Sequence, residues 1–357
     1  MNRKKISAWM RRHPRIFYTF RFFKGLRNKR FITDVNRINE SNLVLNFQTY
    51  GEKNTDKNIY YIMLNSPHKG FFSMFLLVLD ALVIADQYHL VPAVEYGQKS
   101  LYYEGDEING STNPFEYYYE PVSDIDLSEI MSSYRVLHFI EGHRLEDYNK
   151  QVFVASARVA NDDEKSKKYI DDCSRVCSKY IHLNKPTLEY IQTETGKVLD
   201  GNKTLGIHVR GTDFNVGYYM HAKAVTVDQF FEAIDSIMDQ NGFSSIFLAT
   251  DESQTIEKFV EKYGDKVRYY SDTFRSEDGK AVHFSQDNRT HHKYYLGLEV
   301  LRDVMTLSYC DGLIAGLSNV SLAARIIKAS RDENYEYLNI INNGFNTSGQ
   351  VFSLRKN

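Results

Sequence analysis

Within Thr204-Leu205-Gly206-Ile207-His208-Val209-Arg210-Gly211-Thr212-Asp213, an apolar run ends in an imidazole, a guanidinium, a hydroxyl and a carboxylate placed close together. Such a run predicts a buried strand whose polar finish delivers side chains to the lip of a sheet, where open α/β folds bind ligands. Arg210 can fork onto a pair of phosphate oxygens, holds its charge at any physiological pH, and can take up negative charge developing on a leaving diphosphate. The competing reading is an ordinary strand end closed by an Arg–Asp ion pair.

Two later segments end in the same way: Phe247-Leu248-Ala249-Thr250-Asp251-Glu252 and Gly316-Leu317-Ser318-Asn319-Val320-Ser321. In the second, Ser318 and Asn319 sit where a helix begins. Hydroxyl, amide and unpaired backbone N–H groups then point at one spot, as a diphosphate requires, although Ser and Asn also cap helices with no ligand present. Asp251 and Glu252 resemble a metal-binding acidic pair, but no Asp-x-Asp or other metal-ligand cluster accompanies them, and Glu252 is expected to cap the helix that follows. Asp303 lies on a helix where a carboxylate facing the cleft suits two donors of a guanine edge. Glu299, four residues earlier, would repel it, so at least one of the two needs a dedicated partner. Lys69-Gly70 opens the first long helix with a cation and an unobstructed backbone. Tyr102, Tyr103, Phe115, Tyr117, Tyr118 and Tyr119 supply flat rings for stacking on a sugar. His291 and His292 fall in a polar loop and are expected to be solvated.

The elements that must position these groups alternate. Strands are expected at 58–65, 90–95, 204–209, 245–250, 267–270 and 312–315. Helices are expected at 71–85, 226–240, 253–263, 293–309 and 318–330, with helical spacing over much of 126–199. Alternation of this kind implies parallel, doubly wound α/β sheets. The expected division is a basic arm and lead-in at 1–50, an N-terminal acceptor-side α/β domain with a helical insert at 51–200, a C-terminal donor-binding Rossmann-like domain at 201–335, and a tail at 336–357 packing back on the N-terminal domain. The two Rossmann-like domains are expected to face one another across a cleft.

Composition bounds the class. The 357 residues are 42% apolar, which suits sizeable cores rather than disorder. Three cysteines, Cys173, Cys177 and Cys310, form neither a metal spacing nor a disulfide framework, which favours a reducing compartment. The apolar stretch 71–85 is too short, and carries Asp80, for a membrane span. No signal-peptide pattern opens the chain. Residues 1–30 hold eleven Lys or Arg and no acid, so 33 cations against 46 acids leave the remaining 327 residues at −13. Cations interleaved with Trp9, Phe17, Tyr18, Phe20, Phe22 and Phe23 suit an anionic membrane surface, while the acidic body argues against nucleic acid.

In this order, the motifs resemble the superfamily of α-1,6-fucosyltransferases, bacterial nodulation fucosyltransferases and protein O-fucosyltransferases, whose signature is His-x-Arg-x-Thr-Asp; the likeness is to a bacterial-style member. It spans residues 58–330 and is densest over 204–330. The resemblance implies a GT-B fold and inverting, metal-independent transfer of L-fucose from GDP-fucose, with no cofactor; the acceptor is not inherited from any one branch, and a surface polysaccharide or lipopolysaccharide glycan is the expected class. The basic arm of residues 1–30 and the cysteine usage, rather than the resemblance, lead to the expectation of a cytoplasmic enzyme peripheral at the inner membrane. In this reading Arg210 holds the β-phosphate and is the main catalyst, His208 meets the ribose or diphosphate, Asp303 the guanine, and Ser318 with Asn319 the phosphates. Lys69, Gly70 and Asp251 complete the donor site. The plant and animal 1,6-enzymes carry a second Arg, a Lys and a Glu where this chain has Gly211, Phe214 and Tyr218, which removes their general base. A base then comes from Glu95, from Asp213, or is not needed. The alternatives are the same fold with another nucleotide sugar, and a non-catalytic nucleotide-sugar or glycan-binding module.

Overall fold

The computed structural model describes residues 47–139, 164–211, 221–275 and 288–348, with Thr19, Phe23, Leu26 and Arg27 of the arm. Thr212, Asp213 and the rest of the basic arm lie outside the described residues.

Two parallel sheets carry the chain. The first has order β2-β1-β3, built from β1 (Ile59–Leu64), β2 (Val91–Tyr96) and β3 (Val136–His138). The second has order β6-β5-β4-β7-β8, from β4 (Thr204–Val209), β5 (Ser245–Thr250), β6 (Val267–Arg268), β7 (Gly312–Gly316) and β8 (Tyr337–Ile341). The helices are α1 (Phe71–Gln87), α2 (Glu164–Tyr180), α3 (Lys185–Leu199), α4 (Val227–Asp235), α5 (Ser253–Tyr263), α6 (His292–Tyr309) and α7 (Asn319–Ala329). Every residue of β4 and β5 is buried, as central parallel strands covered on both faces require.

Helix α1 packs on β1 and β2 and also on α2, α6 and α7, so it is buried nearly all round. Of its two carboxylates, Asp80 accepts the Tyr169 hydroxyl of α2 at 3.0 Å, and Asp86 pairs with Arg175 and Lys179 of the same helix. A single hydrophobic core runs from Ile62 and Leu82 through α1 to Leu301 and Ala324, joining the two sheets beneath their carboxyl edges. Each large apolar side chain in it contributes about 1.5–3 kcal/mol.

Four expectations need correction. Residues 337–341 form an edge strand paired with β7, and Gly344 and Asn346 bond back to Lys223 and His221. The tail as far as it is described therefore stays with the C-terminal half and does not return to the N-terminal domain. Residues 126–138 hold a 3-10 turn and β3 in place of the expected helix, with β3 pairing β1 over three residues. The expected stacking platform is core: Tyr102, Phe115, Tyr117, Tyr118 and Tyr119 are all at most 3% exposed. His292 is buried and accepts from Arg289 Nε at 2.8 Å, so it is not a solvated loop residue.

The buried aromatics fasten the two halves together. The Tyr118 hydroxyl donates to the Tyr294 carbonyl at 2.9 Å, and Glu104 accepts the Tyr294 backbone N–H at 2.7 Å, capping α6 from the other half. A methyl on Gly297 would stand 2.1 Å from the Tyr118 hydroxyl, so mid-helix glycine is required there by close approach despite its cost to the helix.

Candidate functional site

The order β6-β5-β4-β7-β8 reverses direction between β4 and β7, and open α/β sheets bind ligands at the carboxyl ends beside such a reversal. His208 pairs in register with Ala249 of β5 and Ala315 of β7, so the three polar strand ends share one edge, as expected from the sequence.

Arg210 follows β4. Its Nη1 lies 3.3 Å from Asp251 Oδ2, and Asp251 Oδ1 accepts the Gly211 backbone N–H at 3.0 Å. One carboxylate from β5 thus holds both the guanidinium and the backbone at the exit of β4. The pair fixes the direction of a side chain that remains one-quarter exposed.

His208 is buried, with Nδ1 3.3 Å from Ser318 Oγ. Burial, with the Arg210 charge adding to it and Asp251 opposing, pushes its pKa down to about 4. A neutral imidazole results, which serves a ligand as a hydrogen-bonding group rather than a second cation.

Ser318 is the N-cap of α7. Its Oγ accepts Ser321 N–H at 3.0 Å while Ser321 Oγ accepts Ser318 N–H at 3.2 Å. Capping therefore engages the Ser318 hydroxyl and the Ser321 N–H, and the backbone N–H groups of Asn319 and Val320 with the Asn319 amide are left at the helix start. Asn319 Oδ1 is buried without a hydrogen-bond partner among the described residues, beside the helix start.

Glu252 occupies the N-cap position of α5, yet its carboxylate caps no backbone group. It accepts the Thr255 hydroxyl at 3.2 Å, and burial followed by the charge of Asp251 raises its pKa. This corrects the capping expectation. The carboxylate fills the space over Gly211, where an added Cβ would stand 1.9 Å from it.

From the N-terminal half, Gly70 is the N-cap of α1, with no side-chain cap, no acid in the first turn, and, among the described residues beyond its chain neighbours and its own helix, nothing within 4 Å of where a Cβ would stand. The Tyr102 hydroxyl is hydrogen-bonded to the Phe71 backbone at this helix start, and the Arg210 charge acts on the same hydroxyl. Lys69 lines a small cavity at the end of β1.

Asp303 and Glu299 divide as their repulsion requires. Glu299 is buried and held by Arg289, with the Phe274 backbone N–H at 3.2 Å. No hydrogen bond from a described residue reaches the Asp303 carboxylate. Burial raises its pKa to about 7, while Arg302 and Arg275 pull the other way. Sequence reasoning missed Arg302, which is fully buried, forks onto Asp272 at 2.8 and 3.0 Å, donates to the Tyr190 hydroxyl at 2.7 Å and lies 3.8 Å from the Tyr270 ring centroid. The available signal was a charge inside the apolar stretch Val300-Leu301-Arg302-Asp303-Val304.

Glu95 does not join the Arg210 group. It lies on the face of β2 that carries Val91 and Ala93, opposite the face packed on α1, and accepts the Tyr61 hydroxyl. Among the described residues there is no group of three or more His, Cys, Asp or Glu able to hold a metal ion, and no helix long and apolar enough to cross a membrane.

No family model matches the sequence, and no curated protein matches it. Solved structures do share part of its trace. NodZ alpha-1,6-fucosyltransferase soaked with GDP-fucose is 14% identical with a TM-score of 0.43, over 76% of this chain and 92% of that one. Fucosyltransferase NodZ from Bradyrhizobium is 14% identical with a TM-score of 0.41, over 76% and 93%. POFUT1 in complex with GDP is 12% identical with a TM-score of 0.40, over 80% and 99%.

Proposed function

We propose that the protein is a GT-B glycosyltransferase that moves L-fucose from GDP-fucose to a glycan acceptor, with inversion and without a metal. The observation that carries this reading is Arg210, fixed by Asp251 at the β4/β7 reversal, two residues after His208, whose imidazole meets Ser318 at the start of α7. A guanidinium and a helix N-terminus at one edge of one sheet suit a diphosphate. The sugar rests on the resemblance of His208–Asp213 to the fucosyltransferase signature.

In the reaction, an acceptor hydroxyl oxygen bonds to the anomeric carbon from the face opposite the diphosphate, and the carbon–oxygen bond to the β-phosphate breaks. The electron pair leaves on GDP, where Arg210 and the first turn of α7 stabilise it. The hydroxyl proton passes to Asp213 or to water, since Glu95 stands apart from Arg210 on the other face of β2. Neutral His208 and the Asn319 amide hold the diphosphate or ribose by hydrogen bonds. Asp303 takes the two donors of the guanine edge.

Glu252 over Gly211 favours a second reading. A carboxylate stands where the 1,6-enzymes carry a second arginine, which suits a module that binds a nucleotide sugar without turning it over. Residues 1–30 supply the membrane part of the proposal, a peripheral seat for a polysaccharide-building enzyme on the cytoplasmic leaflet. Calorimetric titration with GDP, UDP and CMP in EDTA tests the donor site: GDP alone should bind the wild type, and Arg210→Ala should abolish it. Equal affinity for all three would overturn the guanine assignment.

A further inference from the structure

Strand β6 pairs with Ile246 and Phe247 alone, whereas β5 runs on to Thr250. Beside the upper half of β5 the chain has left the sheet, and residues 269–275 run antiparallel to α6 instead. A polar stripe on that helix holds them. Glu299, Arg302, Asp303 and Thr306 recur at the three- and four-residue spacing of one helix face. Thr306 Oγ1 lies 2.8 Å from the Tyr270 hydroxyl, Arg302 forks onto Asp272 and reaches Thr273 Oγ1 at 2.9 Å, and Glu299 accepts the Phe274 N–H at 3.2 Å. Asp303 is the member of the stripe to which no described residue is hydrogen-bonded.

Arg275 closes this segment. Its Nη2 donates to the Tyr270 carbonyl at 2.7 Å and its Nη1 to the Thr273 carbonyl at 3.1 Å. Tyr270 is tied to Thr306 and Thr273 to Arg302, so the guanidinium is folded back onto the stretch of α6 that carries Asp303. Burial works against its charge, and Asp303 leads the groups that favour it. Of the N–H groups not spent on the two carbonyls, Nε is buried without a partner among the described residues. Arg302 Nε shares that condition but belongs to a fully buried side chain, whereas Arg275 and Asp303 are both partly exposed. A planar fork of donors thus stands beside a carboxylate that, when ionised, only accepts. A flat ring with adjacent acceptors followed by adjacent donors meets both. Guanine offers N7 and O6, then N1–H and the exocyclic amine. Adenine puts a donor amine where O6 stands, and uracil follows its single N–H with a second acceptor that would face the carboxylate.

We propose that Arg275 reads the base of the donor, forking onto O6 and N7 of guanine while Asp303 takes N1–H and the exocyclic amine. The assignment rests on the GDP-sugar reading and names the residue that completes its base site. The experiment is calorimetric titration of the full chain at pH 8 with GDP, 7-deaza-GDP, inosine diphosphate and UDP, on the wild type and on Arg275→Met and Arg275→Lys. The 7-deaza analogue lacks the N7 acceptor and inosine diphosphate lacks the exocyclic amine, so each reports on one partner. Thermal melts check that the variants are folded.

The wild type should prefer GDP to 7-deaza-GDP by about 5- to 10-fold, and GDP to inosine diphosphate as well. Arg275→Met should bind GDP about 10- to 100-fold more weakly, lose the preference over 7-deaza-GDP and keep the preference over inosine diphosphate. Arg275→Lys, which retains the charge without the fork, should fall between. A 7-deaza preference missing from the wild type, or intact in Arg275→Met, would overturn the assignment. So would loss of both preferences together, which marks Arg275 as a brace for its own loop. Equal binding of GDP and UDP by the wild type would strike the guanine reading and this assignment with it, a result distinct from the others because it appears without any variant.

Discussion

Arg210 Nη1 and Asp251 Oδ2, delivered by adjacent strands, stand 3.3 Å apart, and the same carboxylate takes the backbone N–H of Gly211. Asp251 is therefore the residue that aims Arg210. Replacing it with asparagine keeps the size and the backbone contact while removing the charge. Donor turnover in Asp251→Asn should fall by about 10- to 100-fold, against about 100- to 1000-fold for Arg210→Ala. Steady-state kinetics on both variants check this, and equal turnover in Asp251→Asn and wild type would mean that the pair does not orient the guanidinium.

Gly211 and Glu252 share one volume. Gly211→Ala sets a methyl 1.9 Å from the Glu252 carboxyl carbon and should cost about 1–3 kcal/mol of stability. Glu252→Ala alone should cost less, and the double variant should recover most of the loss, giving a coupling that a denaturant-based double-mutant cycle measures. Additive effects would refute the shared volume.

His208 links stability to pH. Its folded pKa of about 4 lies below the unfolded value near 6.5, so below pH 6.5 the unfolded chain binds a proton that the folded chain refuses. The contribution is complete above pH 6.5 and is lost as pH falls toward 4, amounting to about 2 kcal/mol by pH 5. Urea unfolding of wild type and His208→Asn at pH 7 and pH 5 should show the wild type losing that much more than the variant.

Asp303 runs in the opposite sense. Burial holds its folded pKa up at about 7, so its contribution is present below the ordinary carboxylate range and is lost as pH rises through 7. Asp303→Asn should therefore gain stability relative to wild type above pH 7. Guanine recognition needs the ionised form, because N1–H and the exocyclic amine both donate. GDP affinity should weaken from pH 8 to pH 6, and the preference for GDP over inosine diphosphate should vanish in Asp303→Asn. A flat pH profile with the preference intact would remove Asp303 from the base site.

The C-terminal sheet was legible because its strands are continuous apolar runs that end in polar clusters, so His208, Arg210, Asp251, Ser318 and Asn319 fell on one edge by counting alone. Residues whose role is set by distant partners were not legible. Nothing local distinguishes a tyrosine that stacks on sugar from Tyr118, whose hydroxyl reaches Tyr294 in the other half. Strand β3 is three residues long and exists because β1 offers it a ladder. Strand β8 is partly exposed and lacks the apolar run of a central strand. Glu252 follows the pattern of a cap, yet the tertiary gap above Gly211 claims its carboxylate.

The most direct measurement of the central claim is release of fucose from GDP-fucose in EDTA by the full chain, with UDP- and CMP-sugars alongside and Arg210→Ala as the control. The proposed chemistry predicts slow release specific to GDP-fucose that disappears in the variant. Tight binding of GDP-fucose with no release, or release that persists without Arg210, would contradict it.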